Sequence, residues 1–143
     1  MANTLFALIA GLFAGFVLSA TQGLVYAYQP IPYEYLSFLD NYSGINKTSA
    51  YALLNYLIAC SVTLGIAGGL VGIQVKGKLI YFSSLTSIGA LIIFLGARMR
   101  FVYNYTWENI FPYGWQHGVE VAIIISVISL SIYTAYKIKN YFV

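Results

Sequence analysis

Charge is scarce in this chain. Only 8% of its 143 residues are Asp, Glu, Lys or Arg, against about 25% in an ordinary soluble domain. With 60% hydrophobic residues, it has too few charges to cover itself in water, so a lipid-facing exterior is expected. The net charge of +3 is small and unclustered. No basic patch is built, which excludes nucleic acid as a partner. The single cysteine, Cys60, excludes an intrachain disulfide and leaves the redox compartment unread. The single histidine, His117, excludes bis-histidine haem ligation. No set of His, Cys, Asp and Glu is spaced for a closed metal site. The glycine-rich run GIAGGLVG lies inside an apolar stretch and lacks the lysine of a phosphate loop. Neither a metal nor a cofactor is implied.

What is abundant is apolar length. Four stretches, about 4–27, 51–73, 79–97 and 118–136, each approach the roughly 20 residues that a helix needs to cross a hydrocarbon core. None has a charge near its middle. The alternation of barrel strands is absent, and isolated strands leave backbone groups unpaired in lipid. The pattern predicts an all-α, integral membrane four-helix bundle, one transmembrane domain over 1–143, with loops 28–50 and 98–117. The N-terminal run lacks a positive n-region and is too long for a usual signal peptide. It is therefore expected to be retained, although Val25, Tyr26 and Ala27 carry a small-residue cleavage pattern.

Charge distribution suggests an orientation. Lys76 and Lys78 lie between spans two and three, and Lys137 and Lys139 follow span four, with no acid among them. The opposite side holds Lys47, Arg98 and Arg100 with Glu34, Asp40, Glu108 and Glu120. The positive-inside rule then expects both termini in the cytoplasm and the long loops outside, in a multi-pass protein of the cell membrane. Asn41, Asn46 and Asn104 each begin an N-glycosylation pattern, and all three fall on the side assigned outside. Tyr26, Tyr28, Tyr33 and Tyr35 flank one end of span one, and Tyr133, Tyr136 and Tyr141 flank the opposite end of span four, where amphipathic rings settle among headgroups.

Small residues suggest how the spans meet. Gly11, Gly15, Ser19 and Gly23 recur every fourth residue in span one, and Ser61, Gly65 and Gly69 do so in span two, with Gly68 and Gly72 beside them. Such stripes let backbones approach in lipid. Spans one and two are expected to cross closely, and the short turn at 74–78 is expected to make spans two and three a tight antiparallel pair. Pro30 and Pro32 stop span one, Leu36 and Leu39 have the spacing of a short surface helix, and Thr48 or Ser49 is a cap for span two. Gln22, Asn55 and Cys60 read as interior residues of the bundle.

Polar chemistry concentrates between residues 98 and 120. Arg98, Arg100, Glu108, His117 and Glu120 fall there together with Trp107 and Trp115. The plainer reading is a membrane interface with snorkelling arginines, belt tryptophans and a turn at Pro112 and Gly114. The sharper reading is a polar cluster in which His117 and Glu120 share a helix face and Glu120 pairs with Arg98 or Arg100. Such a cluster would take an anion, a quinone headgroup or a partner subunit. Taken together, the sequence points to a non-catalytic structural or accessory subunit of a larger membrane assembly, an energy-converting complex being one such host. Its partners are then the lipid bilayer and other membrane subunits or copies of itself. A small homo-oligomeric channel or carrier and a coat protein of an enveloped virus are the alternatives, the carrier disfavoured by the lack of an internal acid.

Overall fold

The computed structural model describes residues 1–28, 47–99 and 115–142, and side-chain surroundings over 1–20, 57–97 and 118–142. Four helices make up these residues: α1 (Ala2–Tyr28), α2 (Lys47–Gln74), α3 (Leu79–Met99) and α4 (Trp115–Phe142). No strand occurs among the described residues. All four helices are long and apolar enough to cross a membrane.

Two boundaries differ from expectation. Helix α2 begins at Lys47, so Thr48 and Ser49 lie within its first turn rather than capping it. Helix α4 runs on past Tyr136 to Phe142, because nothing from 137 to 142 is a glycine or proline and hydropathy alone does not end a helix. The expected surface helix around Leu36 and Leu39 lies outside the described residues.

The turn between α2 and α3 depends on two left-handed residues. Gly77 has φ 145° and Lys78 φ 52°. Only glycine takes the first value without a clash, and a lysine at the second is uncommon. The Lys78 carbonyl then accepts the Phe82 amide at 3.2 Å and starts α3.

The helices stand at the corners of a square, but not in the expected neighbourhood. Helix α1 packs most closely on α3, and α2 on α4, while α2 and α3 occupy a diagonal with little contact. The tight pair expected of spans two and three is therefore absent, and the closest partner of α1 is α3 rather than α2. The turn explains how. Five residue steps from Gln74 to Leu79 reach about 17 Å at most. The diagonal of a square with sides of about 8–10 Å is shorter than that. A brief turn fixes direction and nearness of ends, not side-by-side packing.

Helix α1 presents Ala7, Gly11, Ala14, Gly15 and Leu18 inward, at spacings of three and four. A Cβ on Gly11 would collide with the Thr86 backbone, and one on Gly15 would sit 2.5 Å from the Ala90 carbonyl oxygen. In return, a Cβ on Gly89 would lie 2.7 Å from the Leu8 carbonyl oxygen. The numbers rise together, so α1 and α3 run parallel with backbones in contact, a geometry that lipid favours through dispersion and weak Cα–H bonds.

The α2–α4 pair repeats this arrangement. A Cβ on Gly68 would meet Ser131 Cβ at 2.9 Å, and one on Gly72 would meet the Ile132 carbonyl oxygen at 2.5 Å. The contact face runs through Gly65, Gly68 and Gly72. Gly69 faces open space and Ser61 is exposed, so the four-residue spacing read from span two leaves the interface after one step. Helical drift accounts for Gly69, since a four-residue step carries it about 40° past Gly65 and away from Gly68 and Gly72.

The centre of the bundle is filled by Leu18, Leu64, Val71, Phe94, Ile124, Ile128 and Ile132, all essentially inaccessible. Cys60 is fully buried among them. Large apolar side chains also line the outside. Phe13 is 67% exposed and Phe16 62%, and Ile66, Leu70, Ile88, Ile92 and Leu130 are at least half exposed.

Candidate functional site

Four hydroxyls inside the helices are consumed locally. Ser19, Ser61, Thr63 and Thr86 each donate to the carbonyl four residues earlier, at 2.7–2.9 Å. This is the usual way to hide a hydroxyl where no water is available. Ser83 and Ser129 instead bond to each other across α3 and α4, Oγ to Oγ at 2.6 Å. Ser87, one turn above Ser83, is 4% exposed, and its Oγ has no hydrogen-bond partner.

These serines border a groove of about 520 Å³ between α3 and α4. Its walls include Ile80, Ser84, Ile88 and Ile125, and Tyr133 stands at one end. The groove exists because α3 and α4 lack the glycine contacts that draw the other two pairs together. At its Tyr133 end the Lys137 ammonium lies 5.6 Å from the Tyr133 ring centroid, a cation–π geometry. Sequence reading missed this site. The signal was the run Ser83–Ser87, which places four hydroxyls (Ser83, Ser84, Thr86 and Ser87) on two adjoining faces of an otherwise apolar helix.

At the same end of the bundle Lys139 closes α2. Its Nζ donates to the Ile73 carbonyl oxygen at 2.7 Å. Carbonyls at a helix C-terminus lack intrahelical donors, and a cation there also complements the helix dipole.

The expected outer cluster is only partly within view. Arg100 and Glu108 lie outside the described residues, as do the side chains of Arg98 and His117. Glu120 is described: it is 7% exposed and continues the buried ridge of Ile124, Ile128 and Ile132. It is not without a partner. The glycosylation candidates Asn41, Asn46 and Asn104 lie outside the described residues, and Gly23 lies outside those with described side-chain surroundings. No group of three His, Cys, Asp or Glu side chains is poised for a metal among the described residues.

No protein-family model, no curated protein and no solved structure matches this chain.

Proposed function

We propose that this chain is a non-catalytic multi-pass membrane protein that serves as a structural or accessory subunit of a larger membrane assembly. The observation that carries the reading is the distribution of apolar surface. Phe13, Phe16, Ile66, Leu70, Ile88, Ile92 and Leu130 stand exposed on the four helices while the interior is already full. A soluble monomer rarely exposes a contiguous apolar patch of more than a few hundred Å², so surfaces of this kind belong against lipid or other membrane subunits. The Ser83–Ser129 pair and the Lys139 contact with α2 each tie two helices together, and Thr86 bonds back within its own helix. In the orientation that goes with this reading, Lys76, Lys78, Lys137 and Lys139 are cytoplasmic. Asn41, Asn46 and Asn104 then lie outside, available for glycosylation.

Native mass spectrometry of the protein extracted in gentle detergent tests this reading. Co-purified foreign subunits in fixed ratio are the expected result. A homo-oligomer alone would favour the channel, carrier or coat-protein alternatives, and a water-soluble monomer would remove the membrane reading altogether.

A further inference from the structure

We propose that the α3–α4 groove is a binding site for one anionic membrane lipid, with an acyl chain along the groove and the headgroup at Lys137. The inference rests on the membrane reading above and adds a specific ligand to it.

Three independent features converge. The groove is open along one side, with Ile80, Ser84 and Ile88 exposed at its edge, and its volume of about 520 Å³ falls within the range of ligand pockets. Its inner wall carries Ser87, a hydroxyl buried to 4% exposure and unbonded, whereas Ser19, Ser61, Thr63 and Thr86 all bond back within their own helices. A buried donor without an acceptor is destabilising. An ester carbonyl entering the groove would remove that penalty. The third feature is charge. Lys137 stands over Tyr133 at the groove end, Lys78 immediately precedes the first lining residue, Leu79, and no acid lies near either in sequence.

The distances are compatible with one lipid. Leu79 to Ser83 is about 6 Å along the helix, and Leu79 to Ser87 about 12 Å. Side chains tilt toward the helix N-terminus, which here is the Lys-bearing end, so the Ser87 hydroxyl leans toward the headgroup. A phosphate at Lys137 would put glycerol ester carbonyls beside Ser84 and on the lysine side of Ser87, with the chain continuing past Ile88 and Ile125. Basic recesses between membrane helices recognise anionic headgroups in this way.

The test uses the full chain reconstituted in phosphatidylcholine bilayers, with a trace of spin-labelled phosphatidylglycerol or spin-labelled phosphatidylcholine. The motionally restricted fraction is read by electron paramagnetic resonance. The expected result is a preference for phosphatidylglycerol on the order of fivefold per engaged lysine. Lys137→Gln should reduce that preference several-fold. Ser84→Phe keeps every charge and blocks the groove from its exposed edge, so it should abolish the preference while helicity and thermal midpoint stay near those of the parent. Equal retention of the two lipids overturns the proposal. So does a preference that survives Ser84→Phe, because the basic end alone would then account for it. Failure of the chain to enter bilayers at all would overturn the membrane reading, an outcome distinct from insertion without lipid preference.

Discussion

The ammonium of Lys139 on α4 lies 2.7 Å from the carbonyl oxygen of Ile73, in the last turn of α2. One side chain thereby joins the ends of two parallel helices and supplies a donor to carbonyls that the helix itself cannot satisfy. The bond is exposed, so its worth is that of a surface interaction with a helix dipole, about 0.3–1 kcal/mol. Lys139→Gln is expected to lower the thermal midpoint in detergent by a few degrees at most, and Lys139→Arg to restore most of it. A full-sized loss in Lys139→Arg as well would mean that the reach and shape of the ammonium, not its charge alone, hold the contact.

The glycines of α2 separate by what faces them. A Cβ on Gly72 would press on the Ile132 carbonyl and on Ala135, whereas one on Gly69 would meet nothing within 4 Å. Gly72→Ala should therefore cost about 1–3 kcal/mol, as overpacking usually does. Gly69→Ala should be neutral, or stabilising by about 0.5–1 kcal/mol through helix propensity. Thermal unfolding in detergent distinguishes the two. Similar losses at both positions would place Gly69 in an interface, with another subunit for instance.

The contrast shows what the sequence made legible. Four long apolar helices could be counted because length and apolarity are written in the local sequence, and the four helices of the described residues were found on that ground. The small residues Gly11 and Gly15 were picked out for the same kind of reason, but their opposite number was not. Nothing local to span one says that Thr86, Gly89 and Ala90 of α3 will receive it rather than α2. Partner choice is a property of two faces together. The groove was harder still to read, since a hydroxyl that bonds back to its own helix and one that does not, such as Thr86 and Ser87, look alike in sequence.

Ser83 and Ser129 offer the cleanest measure of a polar contact in this bundle. Their Oγ atoms are 2.6 Å apart across two helices that otherwise pack loosely. A double-mutant cycle with Ser83→Ala and Ser129→Ala should give a coupling near the roughly 0.6 kcal/mol average for hydrogen bonds between membrane helices, because the unfolded chain in lipid also finds partners. Strictly additive losses would show that the two hydroxyls do not depend on each other.

The proposed orientation has a direct test. Cys60 is fully buried, so the parent should resist an impermeant thiol reagent. Gly44→Cys is expected to react from outside intact cells, and Lys76→Cys only after permeabilisation. The reverse pattern would invert the topology and remove the case for glycosylation at Asn41, Asn46 and Asn104.

Glu120 carries the sharpest remaining question. It is 7% exposed, on a ridge that continues through Ile124, Ile128 and Ile132. It lies about 7.5 Å along the axis from the start of α4, beyond the first turn in which the helix dipole favours an acid. A buried carboxylate needs a specific donor, and we propose that Arg98 or Arg100 supplies it. The register set by Ser83 and Ser129 brings Glu120 level with Ile92 on α3, about 9 Å along the axis from the backbone of Arg98. Removing one partner strands the other charge in a poorly solvated place, so Glu120→Gln should cost about 2–3 kcal/mol, short of the roughly 3–5 of the deepest pairs. Adding Gln at the paired arginine, Arg98→Gln or Arg100→Gln, to that background should cost little more. Chemical denaturation of the single and double variants in detergent gives the coupling. Additive losses with both arginines would exclude the pair. Intact stability in Glu120→Gln together with loss of an activity in the purified assembly would instead make this carboxylate part of a working site.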